Sequence, residues 1–255
     1  MSDYKSIFIS DVHLGSKGCQ SKYLYNFLKS HSCENLFLVG DIIDCWRLKS
    51  KLYWPQEHSN VLRNILSMAK KGTKVTYITG NHDDFLRIYQ PLELGNIELK
   101  EEHTYTTHLG KEFLIIHGDQ FDIVTRFGKK LSILGDKIYT LLLSLNKVLN
   151  FFRSRLGYGY WSLAKYLKDA TKKTVNKMSD YEDSISDECK RRGFDGIICG
   201  HIHKAEISLI NGIEYHNCGD WVESITALVE TNDGMFELID WGSIERKNTK
   251  LLSSS

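Results

Sequence analysis

The stretch YITGNHDDF, Tyr77 to Phe85, decides how the fold is read. An apolar, β-like run stops at Gly80, and Asn81, His82, Asp83 and Asp84 follow without a break. A polar turn explains one such fragment. The same design then recurs. "KSIFIS" (Lys5 to Ser10) breaks into "DVHLGS", and "NLFLVG" (Asn35 to Gly40) breaks into "DIIDCW". "KEFLII" breaks into "HGDQFD", and "DGIIC" breaks into "GHIH". Helix-like stretches near Tyr23–His31 and Gln56–Lys71 separate the first three runs. That β-α-β-α-β rhythm predicts an α/β fold with buried strands, and polar sites in such folds gather where strands end. Asn211–Gly212 and Asp233–Gly234 predict two β-hairpins late in the chain.

Between Phe121 and Tyr181 the pattern changes to long helical stretches with no clear strand. Twelve basic residues face four acidic ones there, in a chain of 255 residues whose formal net charge is +1. "IYTLLLSLNKVLNFF", Ile138 to Phe152, is apolar on more than one face and must bury against something. The expected organisation is a core of residues 1–120 and 182–247, an inserted helical cap at 121–181, and a frayed tail at 248–255.

Composition narrows the class. Hydrophobic content of 42% and charged content of 25% are ordinary for a globule. The six cysteines form no CxxC pair, which points to a reducing cytosol. No run reaches the roughly 18 apolar residues of a membrane span, so membrane contact is expected only as peripheral attachment to the inner surface. The basic cap suits phosphate, but no nucleic-acid recognition motif accompanies it.

The strand ends gather Asp11, His13, Asp41, Asn81, His117, His201 and His203. On extended chain, residues two apart point the same way, which pairs Asp11 with His13 and His201 with His203. Four imidazoles, two carboxylates and an amide oxygen, with no thiolate, suit Mn²⁺, Fe or Zn²⁺. Seven donors exceed one ion and suit two divalent cations if one carboxylate bridges. Such a pair acidifies a shared water and clamps phosphate oxygens. Beside it, His82 is placed to stabilise a phosphoryl transition state or protonate a leaving oxygen. Asp83 either orients His82 or caps the following helix. Asp44 is a candidate partner for a histidine, and Asp119 a partner or a turn former.

The order DxH, GDxxD, GNHD, HGD and GHxH resembles the calcineurin-like metallophosphoesterase superfamily, from about Ile7 to Val229. That resemblance implies a four-layer α-β-β-α sandwich. It implies Asp11, His13, Asp41 and His203 on one metal, and Asp41, Asn81, His117 and His201 on the second, with Asp41 bridging. "GDIIDCW", "HGD", the helical insertion, "GHIH" and "CGDW" together resemble the UDP-2,3-diacylglucosamine hydrolase group within it. Those enzymes split the pyrophosphate of a UDP-linked acylated sugar, giving UMP and the acylated sugar 1-phosphate for lipid A synthesis. They carry arginine where this chain has His82, and a Cys-Thr-Asp-Asp stretch where it has "QFDIV". By that resemblance Trp46 packs on substrate or in the core, and the cap's apolar run lines an acyl channel; the i, i+3, i+7 spacing of Lys165, Lys168 and Lys172 puts them on one helix face, which either is solvated or brings Lys168 and Lys172 to substrate. The alternatives are a phosphodiesterase for another lipid or nucleotide phosphate, and a non-enzymatic scaffold, which would be expected to lose ligands that are all present here.

Overall fold

A computed structural model of the chain describes residues 2–121 and 181–253. The first sheet is built on three parallel strands, β1 (Tyr4–Ile9), β2 (Cys33–Val39) and β3 (Lys74–Ile78). β4 (Leu92–Leu94) and β5 (Ile97–Lys100) extend it beyond β3. The second sheet holds β6 (Glu102–Thr106), β7 (Glu112–Ile116), β8 (Gly196–Cys199), β9 (Glu206–Ile210) and β10 (Ile213–Asn217). β11 (Thr226–Glu230) and β12 (Phe236–Asp240) return to the first sheet and pair antiparallel beside β1. The orders are β12-β11-β1-β2-β3-β5-β4 and β6-β7-β8-β10-β9, and both sheets are mixed.

The alternation of side chains explains why continuous apolar runs sit at the centre. Ile7 and Ile9 on β1, and Leu36 and Leu38 on β2, join the core under the helices. Phe8, Phe37 and Val39 turn the other way and meet Phe113, Ile115 and Ile198 of the second sheet. Phe8 and Phe37 stack with ring centroids 4.9 Å apart. Helices α1 (Ser21–Ser30) and α3 (Gln56–Lys70) cover the outer face through Leu24, Phe27, Val61 and Ile65. On the second sheet, the helix ending at residue 191 approaches β8, where the Cys189 thiol donates to the Gly196 carbonyl at 3.2 Å.

The five strands expected to end in polar turns are β1, β2, β3, β7 and β8, and both hairpins form at their expected turns. The sequence pattern missed β4, β5, β6 and the short helix α2 (Cys45–Ser50). The last helix runs Trp241–Ser253. Compact clustering divides the chain into Met1–Asp119 with Ile185–Ser255, and Gln120–Ser184. Nearly all of the second unit, with Ile138–Phe152, Lys165, Lys168 and Lys172, lies outside the described residues.

Candidate metal centre

Each strand end delivers its polar residues by leaving β geometry, and the backbone shows how. Asp11, His13, Asp41, His201 and His203 all have positive φ, between 51° and 71°. Left-handed backbone is uncommon for non-glycine residues and collects at functional sites. The expected reason for convergence, side chains two apart on extended chain, is therefore corrected. The chain turns at each of these residues, and the turns bring the side chains together. Backbone bonds tie the turns to one another: Asp11 N to Gly40 O at 3.1 Å, His13 N to Asp41 O at 2.9 Å, Trp221 N to Asp11 O at 3.0 Å. Two glycines allow the approach. A Cβ on Gly80 would collide with the Asp41 carboxylate, and one on Gly200 with the Ser10 hydroxyl.

Three overlapping groups result, each with ligand atoms within 4.8 Å of one another: Asp11, His13 and His203; Asp11, Asp41 and His117; His13, Asp41 and His82. Asp11 Oδ1 lies 3.1 Å from His203 Nε2 and 3.9 Å from His13 Nε2. Asp41 Oδ2 lies 3.4 Å from His117 Nε2 and 4.0 Å from His13 Nε2. Asp11, His13 and Asp41 each belong to two of the three groups. His201 belongs to none of the three, although its ring centroid is 5.2 Å from that of His117 and its N–H donates to Asp11 Oδ2 at 2.9 Å.

The donor set fits cations on an independent ground. Asp11 Oδ1, both ring nitrogens of His13, Asn81 Oδ1 and His117 Nε2 are buried without a hydrogen-bond partner. An unsatisfied buried polar atom costs about 1–3 kcal/mol, and native structures keep few of them. Their gathering at the ends of neighbouring strands is what a hard or borderline cation with N and O ligands requires.

Electrostatics agree. Burial pushes the Asp41 carboxyl up, but the charges of His117, His82 and His13 outweigh it and hold it well below the usual carboxylate range. Burial lowers the His117 imidazole, and Asp41 and Asp11 more than reverse that, raising it to about 10. Two buried carboxylates create a field that favours positive charge.

His82 stands at the edge of this cluster. Its Nδ1 is 3.0 Å from Asp44 Oδ1, and the Trp46 ring lies against it with centroids 4.1 Å apart and planes at 30°. Burial works against its positive form, but the Asp44 hydrogen bond and the Asp41 charge raise its pKa above the ordinary value. Trp46 is half-buried and packs on His82 rather than in the core.

Asp83 requires a correction. It is fully buried and its oxygens accept from Gly80 N and the Tyr77 hydroxyl, both at 2.6 Å, and from Ile42 N at 2.9 Å. Asp44, not Asp83, holds His82, and the Asp83 side chain makes no capping bond. Asp83 instead fastens the turn after β3 to the turn after β2. Asp119, expected as a histidine partner or a turn former, opens a short turn at Asp119–Phe121 and pairs with Arg87, whose Nη2 lies 3.0 Å from both its oxygens. The sequence reading also missed Ser10, whose hydroxyl donates to Asp11 and lies 2.8 Å from the Val39 carbonyl. A serine at the end of an apolar strand is too common to signal that role.

A cleft of about 570 Å³ opens from this cluster, with His13, His82 and His203 among its lining residues. The family model described as Calcineurin-like phosphoesterase matches residues 4–205. The chain is 26% identical over 249 residues to a UDP-2,3-diacylglucosamine hydrolase of Aliivibrio fischeri, covering 91% of this chain and 96% of that protein. It is 23% identical over 240 residues to one of Psychromonas ingrahamii, covering 87% and 91%. Among solved structures, a novel archaeal phosphodiesterase aligns with a TM-score of 0.44 at 11% identity, over 92% of this chain and 98% of that one.

Proposed function

The chain belongs to the calcineurin-like phosphoesterase family, and from that premise we propose a phosphohydrolase that works with two divalent cations. The observation that carries the proposal is the set of unpartnered buried donors at the strand ends. Asp11, His13, Asp41 and His203 would hold one cation, and Asp41, Asn81, His117 and His201 would hold the other. Manganese is the first choice, with iron or zinc as alternatives. Bound there, the pair would supply Lewis acidity, acidifying a water and neutralising charge on phosphoryl oxygens.

The chain's own residues do the rest. Asp44 fixes the His82 ring through Nδ1, which leaves Nε2 to carry the proton for a leaving oxygen. Trp46 restricts rotation of that ring. Asp83 keeps Asn81 and His82 in register with Asp41, whose Oδ1 accepts from the His82 backbone N–H at 2.8 Å. The reaction consumes one water, breaks one P–O bond, and passes a proton to the departing oxygen.

For substrate, we propose UDP-2,3-diacylglucosamine, hydrolysed to UMP and 2,3-diacylglucosamine 1-phosphate in lipid A biosynthesis. The names and nearly full-length coverage of the relatives support this. The four-layer sandwich with residues 121–181 as a helical lid belongs to the same proposal, as do Lys168 and Lys172 as substrate contacts and attachment to the inner leaflet. The alternative substrate is another lipid or nucleotide phosphate. No helix among the described residues is long and apolar enough to cross a membrane.

The test is direct. The purified chain should bind two manganese ions by elemental analysis, hydrolyse bis(p-nitrophenyl) phosphate, and release UMP from the UDP lipid. Failure of the first two refutes the two-cation hydrolase. Failure of the third alone refutes only the lipid.

A further inference from the structure

The cleft that opens from the cluster has a wall the proposed ligands do not use. Lys17, Arg47 and Lys51 line it, with Tyr53 beside them. Three turns put them there. Lys17 follows the turn in which Ser16 N donates to His13 O at 3.0 Å. That turn is fastened from behind, since Gly15 N donates to Nδ1 of the buried His58 at 3.0 Å. Arg47 sits in the first turn of α2, where its N–H donates to Asp44 Oδ1. Lys51 ends that helix, its N–H bonded to Arg47 O at 2.8 Å.

Among the described residues, little balances the charge on this wall. Among the described residues that line the cleft, Asp44 is the one acidic residue, and its Oδ1 is taken up by His82 Nδ1 at 3.0 Å. Among the described residues, none of the three cationic side chains has an ion-pair partner. Three like charges around one cleft repel one another, and an anion seated among them removes that repulsion. Arginine adds a planar fork that grips phosphoryl oxygens in pairs. The volume is that of a small-molecule site, and the histidines where phosphate would react share the same cleft.

We propose that Lys17, Arg47 and Lys51 form a subsite for a second phosphoryl group, next to the one that reacts. The chain then takes diphosphate-linked substrates in preference to simple phosphodiesters. Water adds to one phosphorus, the bridging P–O–P bond breaks, and the second phosphoryl group leaves on its own half of the substrate, held by the cationic wall. Selection for a diphosphate thus has a determinant in the core itself. The inference rests on the proposed reacting site, and its test separates the two.

The manganese-loaded full chain is titrated by calorimetry with uridine 5′-phosphate and with uridine 5′-(α,β-methylene)diphosphate, which differ by one phosphoryl group and resist hydrolysis. The wild type should prefer the second by tenfold or more. The K17Q/R47Q/K51Q variant should lose that preference, and Arg47→Gln alone should lose part of it. An equal preference in wild type and triple variant overturns the subsite, as does no preference in the wild type. Tighter binding of a short single-stranded oligonucleotide, lost in the same variant, also overturns it and gives the cleft to a polymer. Turnover of bis(p-nitrophenyl) phosphate by the wild type is scored separately, so a failed subsite and a failed hydrolase give different results.

Discussion

Replacing Asp83 separates a scaffold role from a catalytic one. The carboxylate is fully buried and accepts from Ile42 N, Gly80 N and the Tyr77 hydroxyl at 2.6–2.9 Å. Asp83→Ala leaves all three donors without their acceptor. At about 1–3 kcal/mol each the sum is large, but it is not the net effect. Burial and the Asp41 charge raise the Asp83 pKa above the ordinary carboxylate value, so the native state already spends part of the gain on desolvation. Water entering the vacated space recovers more. We expect a loss of about 3 kcal/mol, read by urea denaturation of the cation-free protein. Asp83→Asn should lose about 2 kcal/mol, because its amide NH₂ faces N–H and O–H donors. Hydrolysis should fall in both variants through weaker manganese binding, recoverable in part by added metal. A variant with stability within about 0.5 kcal/mol of wild type and an altered pH–rate profile would refute this account and return Asp83 to His82.

Four further outcomes follow from particular contacts. Gly80→Ala places a methyl group against the Asp41 carboxylate and should weaken manganese binding at least tenfold by calorimetry, with a stability loss of about 1–3 kcal/mol. Tyr105→Phe removes the hydroxyl that donates to the buried Glu230 and meets Ser6 at 2.6 Å; about 2 kcal/mol should disappear from the urea midpoint analysis. His216 is buried between the rings of Phe113 and Phe236, and burial pushes its pKa down to about 4. Its folded pKa lies below the unfolded one, so its contribution is complete above about pH 6.5 and is lost as pH falls toward 4; His216→Phe should flatten that part of the stability–pH curve, which otherwise drops by up to about 3 kcal/mol. Chelation should lower the melting temperature, since a ligand at a hundred times its Kd stabilises by about 2.7 kcal/mol per site; an unchanged melting temperature on adding manganese would count against the centre.

The strands carrying the site were legible because they are buried on both faces and each stops at a run of chemistry-bearing residues. The same logic failed for β4, β5 and β6. Leu92 and Leu94 are exposed, and only Leu99 and Tyr105 are buried across the three strands, so no apolar run marks them. Helix α2 has six residues, too few for a helical period to show. The roles of Asp44 and Asp83 were half-legible. Their residue types and neighbourhood pointed to the site, but Asp83 meets Ile42, 41 positions away, and no local pattern records such a pairing. The helical insertion, with the expected Lys168 and Lys172 contacts, lies outside the described residues.

The left-handed turns give the site its physical character. Five non-glycine residues with positive φ cost about 1–2 kcal/mol each, a sum comparable with the net stability of a whole domain, about 5–15 kcal/mol. Such strain persists only where surrounding structure over-determines it. Here the restraint is backbone: Asp11 and His13 donate to the turn after β2, Leu14 N donates to Ile42 O at 2.9 Å, and Asp44 N returns a bond to Leu14 O at 2.8 Å. These bonds involve no cation. The turns that carry Asp11, His13 and Asp41 are therefore held by bonds of the chain's own, and a bound cation would add compensation for Asp11 and Asp41 and partners for the orphaned nitrogens.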